Sequence, residues 1–163
     1  MSPLNAQEWM QYKIQPALRE CDAHQQRLHQ AWLESALFPA MQADMAIPLT
    51  EPEVRTLDQL VYRFGRLQDT MGTRLLPALM ALMQEWREDA PFIDQLHRAE
   101  KLGLLPSAEQ WLLLRELRNQ TAHEYPDQPE KVLQGLRHLH RSVPELERAY
   151  AVLRQVAFQR IPS

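Results

Sequence analysis

At 163 residues, with 45% hydrophobic and 24% charged side chains, the chain has the make-up of one globular domain, 1–163, with a core of its own, and not of a disordered segment. Its formal net charge of −3 argues against a generic nucleic-acid coat, and a single cysteine, Cys21, excludes an intrachain disulfide and a thiolate metal site. The opening M-S-P-L-N-A-Q-E-W-M has no basic stretch followed by an apolar core, and the apolar run from Leu75 to Met83, broken by Pro77, is far short of the ~20 residues that span a bilayer. A cytoplasmic protein without membrane contact is therefore expected.

Four glycines among abundant Leu, Ala, Gln, Glu and Arg favour helix throughout, and no strand-like alternation of useful length occurs. A first helix is predicted over about 17–38, on the stripe Leu18, Cys21, Gln25, Leu28, Trp32, Ala36, with Pro16 in its first turn or at a kink. Pro39 to Pro52 reads as a connection whose Met41, Met45 and Ile47 lie against the core. Thr50 and Glu53 form a capping-box start, and apolar positions from Val54 to Trp86 then keep helical spacing, with a bend near 72–77. Gly65 and Gly72, seven apart, allow another backbone to come close, either a helix of this chain or a second copy.

A short helix is predicted from Pro91 to Leu102, ended by Gly103. Ser107 and Gln110 then start another, carrying Trp111, Leu112, Leu114, Leu117 and Ala122 and stopping at Tyr125 before Pro126. A last helix opens at Pro129, and Ser142-Val143-Pro144-Glu145 restarts or kinks it. Short connections between these segments predict an all-α, up-and-down bundle of four long helices with one short one.

Charge is uneven: residues 131–163 hold six Lys/Arg against two Glu, whereas residues 1–60 hold four against eight acids. The chemistry-bearing stretch precedes that basic end. In L-R-E-L-R-N-Q-T-A-H-E-Y-P, Arg115, Arg118, Asn119 and His123 fall on one helical stripe at ~100° per residue. A histidine that titrates near neutrality can take a proton from a hydroxyl while a guanidinium holds phosphate oxygens, and RNA brings its own 2′-OH nucleophile, so no metal is required. Asn119 would orient His123 or hydrogen-bond the substrate. The same residues also fit a helix C-terminus that needs only cations for its dipole and for solubility.

The segment R-N-Q-T-A-H-E-Y, Arg118 to Tyr125, resembles the signature of the HEPN superfamily, an arginine, four residues beginning with a polar one, then histidine. The tyrosine two residues later is similar to the longer form in HepT-type toxins, and R-A-E-K-L-G-L-L followed by S-A-E-Q-W resembles the run leading into it. This resemblance, over roughly 55–145, implies a HEPN-like helical bundle that forms a homodimer with two motifs facing one cleft, acting as a metal-independent endoribonuclease without a cofactor. It implies that Arg118 and His123 are catalytic, with Asn119 supporting, and that Tyr125 accepts AMP from a minimal nucleotidyltransferase antitoxin. Arg115, and Arg137 and Arg141 four residues apart, are the candidates for binding RNA backbone; ordinary surface arginines are the other reading. The alternative function is a non-catalytic binding subunit of a nucleotidyltransferase, and a third is a helical scaffold with a solvated polar stripe.

His97, His138 and His140 do not have metal-site spacing, since the last two point to different sides of their helix. Trp9, Trp32, Trp86 and Trp111, with the methionines, are expected in the core.

Overall fold

A computed structural model describes residues 2–121 and 129–161, and among these every regular element is helical. Ala6–Trp9 (α1), a π-helical turn Met10–Ile14 (π1) and Gln15–Ser35 (α2) run on as one rod. Pro39–Gln42 (α3) is a single turn. Glu51–Thr70 (α4), a second π-helical turn Met71–Leu75 (π2) and Leu76–Leu82 (α5) make the next rod, followed by Phe92–Lys101 (α6), Ala108–Thr121 (α7) and Pro129–Gln159 (α8). The four rods pack up and down: α2 against α4, α4 against α7 and α8, α7 against α8, and α8 back against α2. The antiparallel sense of the first pair is set by Trp9, whose indole N–H donates to the Ala78 carbonyl at 2.8 Å, and by Arg63, which meets His24 at 2.9 Å. Leu57, Leu60, Phe64, Leu67 and Met71 line the core from the second rod, opposite Leu18, Leu28, Leu139 and Leu153.

The start signals account for most helix ends. Thr50 and Glu53 exchange the two capping bonds at 2.9 and 3.3 Å. Ser107 accepts the Gln110 N–H at 3.1 Å, while Glu100 on α6 takes the Ala108 N–H at 2.9 Å. Gly103 has φ +76°, the left-handed turn that glycine adopts at least cost. The first helix begins earlier than its periodicity predicts, at Ala6, because Asn5 and Glu8 form a capping box of their own at 2.9 Å each way. Met41 and Ile47 pack on the core as expected, but Met45 is exposed.

Three prolines lie within rods without ending them. Pro16 and Pro77 each stand two residues after the end of a π-helical turn, and the Gln15 and Leu76 N–H groups bond back to the Met10 and Met71 carbonyls. The wider turn carries the preceding carbonyls clear of the proline ring. These two turns pack against each other. Pro144 sits inside α8, neither restarting nor ending it, and removes the N–H that His140 would bond. The Trp32 indole N–H supplies it instead, at 3.0 Å from the His140 carbonyl, while His140 Nε2–H donates to the Trp32 carbonyl at 3.0 Å and the rings stack with centroids 5.7 Å apart.

Burial holds the His140 imidazole below its ordinary pKa, against the pull of the Trp32 carbonyl and with Arg141 adding to the depression. His24 is lowered likewise, by burial first and by Arg63 and Arg66, against Glu20. Both folded values lie below the unfolded value of about 6.5, so on acidification the unfolded chain takes up protons first and stability, full above that pH, declines below it. The thermal midpoint should fall between pH 7.5 and 5.5, and fall less in a His24→Gln, His140→Gln double variant; a midpoint flat across that span would contradict the assignment. Cys21 is fully buried and its thiol is pushed up to about 12, chiefly by burial, which makes it a packing residue and not a nucleophile.

Candidate functional site

Helix α7 turns Ala108, Trp111, Leu114 and Leu117 into the core and keeps Arg115, Arg118 and Asn119 on its flank and outer face. The Arg118 guanidinium lies flat across α4. Its Nη2 donates to Asp69 Oδ2 at 3.0 Å and its Nη1 reaches Asp69 Oδ1 at 3.5 Å. Directly beneath is Gly65, where an added Cβ would stand 2.8 Å from Arg118 Nε. One turn-pair further, Gly72 faces Trp111, where a Cβ would stand 3.0 Å from the ring. The two glycines are thus filled by two α7 side chains of the same chain, also seven residues apart.

The two side chains of the Arg118–Asp69 pair are 31% and 43% exposed, so the pair contributes only ~0–1 kcal/mol to stability. Its effect is geometric: the fork points one way. A guanidinium has five donors, of which Asp69 engages two, leaving others for an anion. Arg115 is exposed with its guanidinium 5.7 Å from the Phe92 ring centre, and Asn119 is exposed.

Beside this pair, Trp86, Phe92 and Trp111 wall a cavity of about 360 Å³ whose polar rim includes Asp69, Gln68 and Arg115. Gln68 is fixed there by donating to the Trp111 carbonyl at 3.2 Å. A second cavity, about 430 Å³, separates Gln120 and Thr121 on α7 from Lys131, Gly135 and His138 on α8. The expected contributions of His123 and Tyr125 lie outside the described residues.

The α7 and α8 arginines do not form one patch within a chain. Arg137 donates to the Ala40 and Met45 carbonyls, both at 2.7 Å, and so clamps the connection between α2 and α4 onto α8. By ~100° per residue it lies on the side of α8 away from Gly135, which faces Thr121, and exposed Arg141 follows it. Arg154 is paired with Asp22 at 2.9 Å. Of the four tryptophans expected in the core, Trp111 is buried; Trp9, Trp32 and Trp86 are half-buried. Asp69 and the Trp86–Phe92–Trp111 wall carry no motif, and the one signal for them was the shared spacing of Gly65 and Gly72 with Trp111 and Arg118.

Among the described residues no three His, Cys, Asp or Glu side chains are grouped so that they could hold a metal ion, and no helix is long and apolar enough to cross a membrane. No family model, no curated protein and no solved structure matches the chain.

Proposed function

We propose that the chain is a HEPN-like, metal-independent endoribonuclease toxin. The observation that carries this reading is Arg118, oriented at the surface by Gly65 and Asp69 beside an aromatic-walled cavity, five residues before His123 in the sequence. In this reading the His123 imidazole takes the proton of an RNA 2′-OH, the alkoxide attacks the adjacent phosphorus, and the 5′-oxygen leaves to give a 2′,3′-cyclic phosphate. Arg118 stabilises the charge that grows on the non-bridging oxygens. An unpaired base stacked on Trp86 or Phe92 would hold the scissile bond near it. The active form is a homodimer that brings two motifs to one cleft. The partner is a minimal nucleotidyltransferase antitoxin, and AMP on Tyr125 sets a bulky anion where RNA must enter.

The test is cleavage of a mixed tRNA and mRNA pool in EDTA. Wild type should cut, leaving cyclic-phosphate ends, and His123→Ala and Arg118→Ala should each lose at least ~10²-fold. Three equally inert proteins would rule the nuclease out. The second reading, a non-catalytic subunit that binds a nucleotidyltransferase, is favoured by Asp69, which already neutralises Arg118. It expects a stable complex with the nucleotidyltransferase that His123→Ala leaves intact and no cleavage by any form.

A further inference from the structure

The outer groove between α2 and α4 concentrates positive charge that segment-by-segment counting conceals. On the second rod, Arg55, Arg63 and Arg66 of α4 and Arg74 of π2 fall on one side, with Arg27 of α2 sharing a cavity with Arg55 and Arg63. At 1.5 Å per residue the second-rod row runs roughly 28 Å. Arg66 and Arg74 share one carboxylate, Glu20, which also accepts the Thr70 hydroxyl at 3.1 Å. Burial opposes the Glu20 charge, but Thr70, Arg74 and His24 together hold its pKa low. Arg63 spends one donor on His24 Nδ1 at 2.9 Å, and the Nε atoms of Arg63 and Arg66 are buried without a partner. Among the described residues, Arg27, Arg55 and Arg63 have no carboxylate partner.

Arg27, Arg55 and Arg63 line an open cavity of about 420 Å³ in which Glu34 is the one acid. Within the groove the five arginines face Glu20 and Glu34 (5 − 2, an excess of three), while Glu51, Asp58 and Asp69 border the row, ~40–60° away on the outer side of α4. Such an excess is not needed for the fold, because exposed Arg27 and Arg55 hold nothing in place.

We propose that this groove binds the sugar–phosphate backbone of a single-stranded RNA. A charge row this long matches successive phosphates better than one small anion. All five cations are arginine, whose planar fork pairs phosphate oxygens two at a time. Exposed Tyr62, with the Arg63 guanidinium 5.3 Å from its ring centre, adds a stacking face beside the row. Asp69 lies ~60° around α4 from Arg66, so one exposed face of that helix leads from the groove to the Arg118 fork. The inference rests on the RNA reading of the preceding section and gives the strand a path to it.

The test is fluorescence anisotropy with a short labelled single-stranded oligoribonucleotide in EDTA, using the His123→Ala protein so that nothing is cut. Adding Arg27→Gln and Arg55→Gln should weaken binding by at least ~10-fold and reduce the slope of log affinity against log salt by roughly 0.7 for each arginine. The melting curve should be unchanged, since neither side chain is used by the fold. Equal binding by the two proteins would overturn the proposal, and so would absence of RNA binding, with or without capture of poly-glutamate in its place. Cleavage is scored separately on otherwise wild-type protein. If it cuts while the groove variants bind normally, only the groove fails; groove-dependent binding without any cutting means that only the nuclease reading fails.

Discussion

Trp32→Phe should lower the unfolding free energy by about 1 kcal/mol, the cost of leaving a partly buried backbone carbonyl without its donor. The ring's packing is largely kept by Phe, so the loss belongs to the indole N–H and its bond to the His140 carbonyl. Pro144 makes that bond necessary. Replacing it with alanine restores an N–H four residues after His140, and this donor can close the helix from within. The cost of Trp32→Phe should therefore shrink to a few tenths of a kcal/mol in a Pro144→Ala background. Urea unfolding of the four proteins in this cycle measures the coupling directly, and equal costs in both backgrounds would show that the indole acts through packing alone.

The two glycines of the second rod should respond to alanine in opposite ways. At Gly72 the new methyl meets the buried Trp111 ring at 3.0 Å, and displacing a bulky buried ring costs ~1–3 kcal/mol of strain, which outweighs the ~1 kcal/mol that alanine gains in a helix. Gly72→Ala should be destabilised. At Gly65 the obstacle is the far end of an arginine, which can swing away, so stability should hold or rise by up to ~1 kcal/mol. The displaced guanidinium then loses the orientation set by Asp69, and if the proposed ribonuclease reading holds, RNA cleavage should drop ~10²-fold or more. Thermal melts and initial cleavage rates on both variants separate the effects. A Gly65→Ala protein that cuts RNA as fast as wild type would count against the role proposed for the Arg118 position on α4.

Local signals predicted the helix starts and stops that depend on one or two residues. Thr50 with Glu53, Ser107 and Gly103 behave as their side chains and backbone freedom require. Asn5-Ala6-Gln7-Glu8 is an equally plain capping box, but Pro16 masked the continuity from it to Leu18, since the π-helical turn that absorbs a proline leaves no trace in apolar spacing. At Pro144 the restart alternative does not occur, for a related reason: the missing hydrogen bond is replaced from Trp32, over a hundred residues away. Arg118 and Asn119 were singled out by a linear motif, whereas Asp69 pairs with Arg118 only across two packed helices. The second-rod arginines were hidden because counts along the chain mix them with acids on other faces; Arg55, Arg63, Arg66 and Arg74 stand out only by angle around the axis. Arg137, placed with Arg141 by its spacing, is occupied by two carbonyls of the α2–α4 connection.

The matched seven-residue spacings of Gly65 with Gly72 and Trp111 with Arg118 tie two helices to a common ruler. A one-residue insertion between the members of either spacing would turn them ~100° further apart around their helix, so that only one of the two contacts could stay in register. Such length changes should therefore be absent from descendants of the same ancestor, while paired replacements, a bulkier residue in place of a glycine with a smaller one opposite, should accumulate jointly. Distant relatives would then be recognised by that double spacing even where the histidine and tyrosine have been lost.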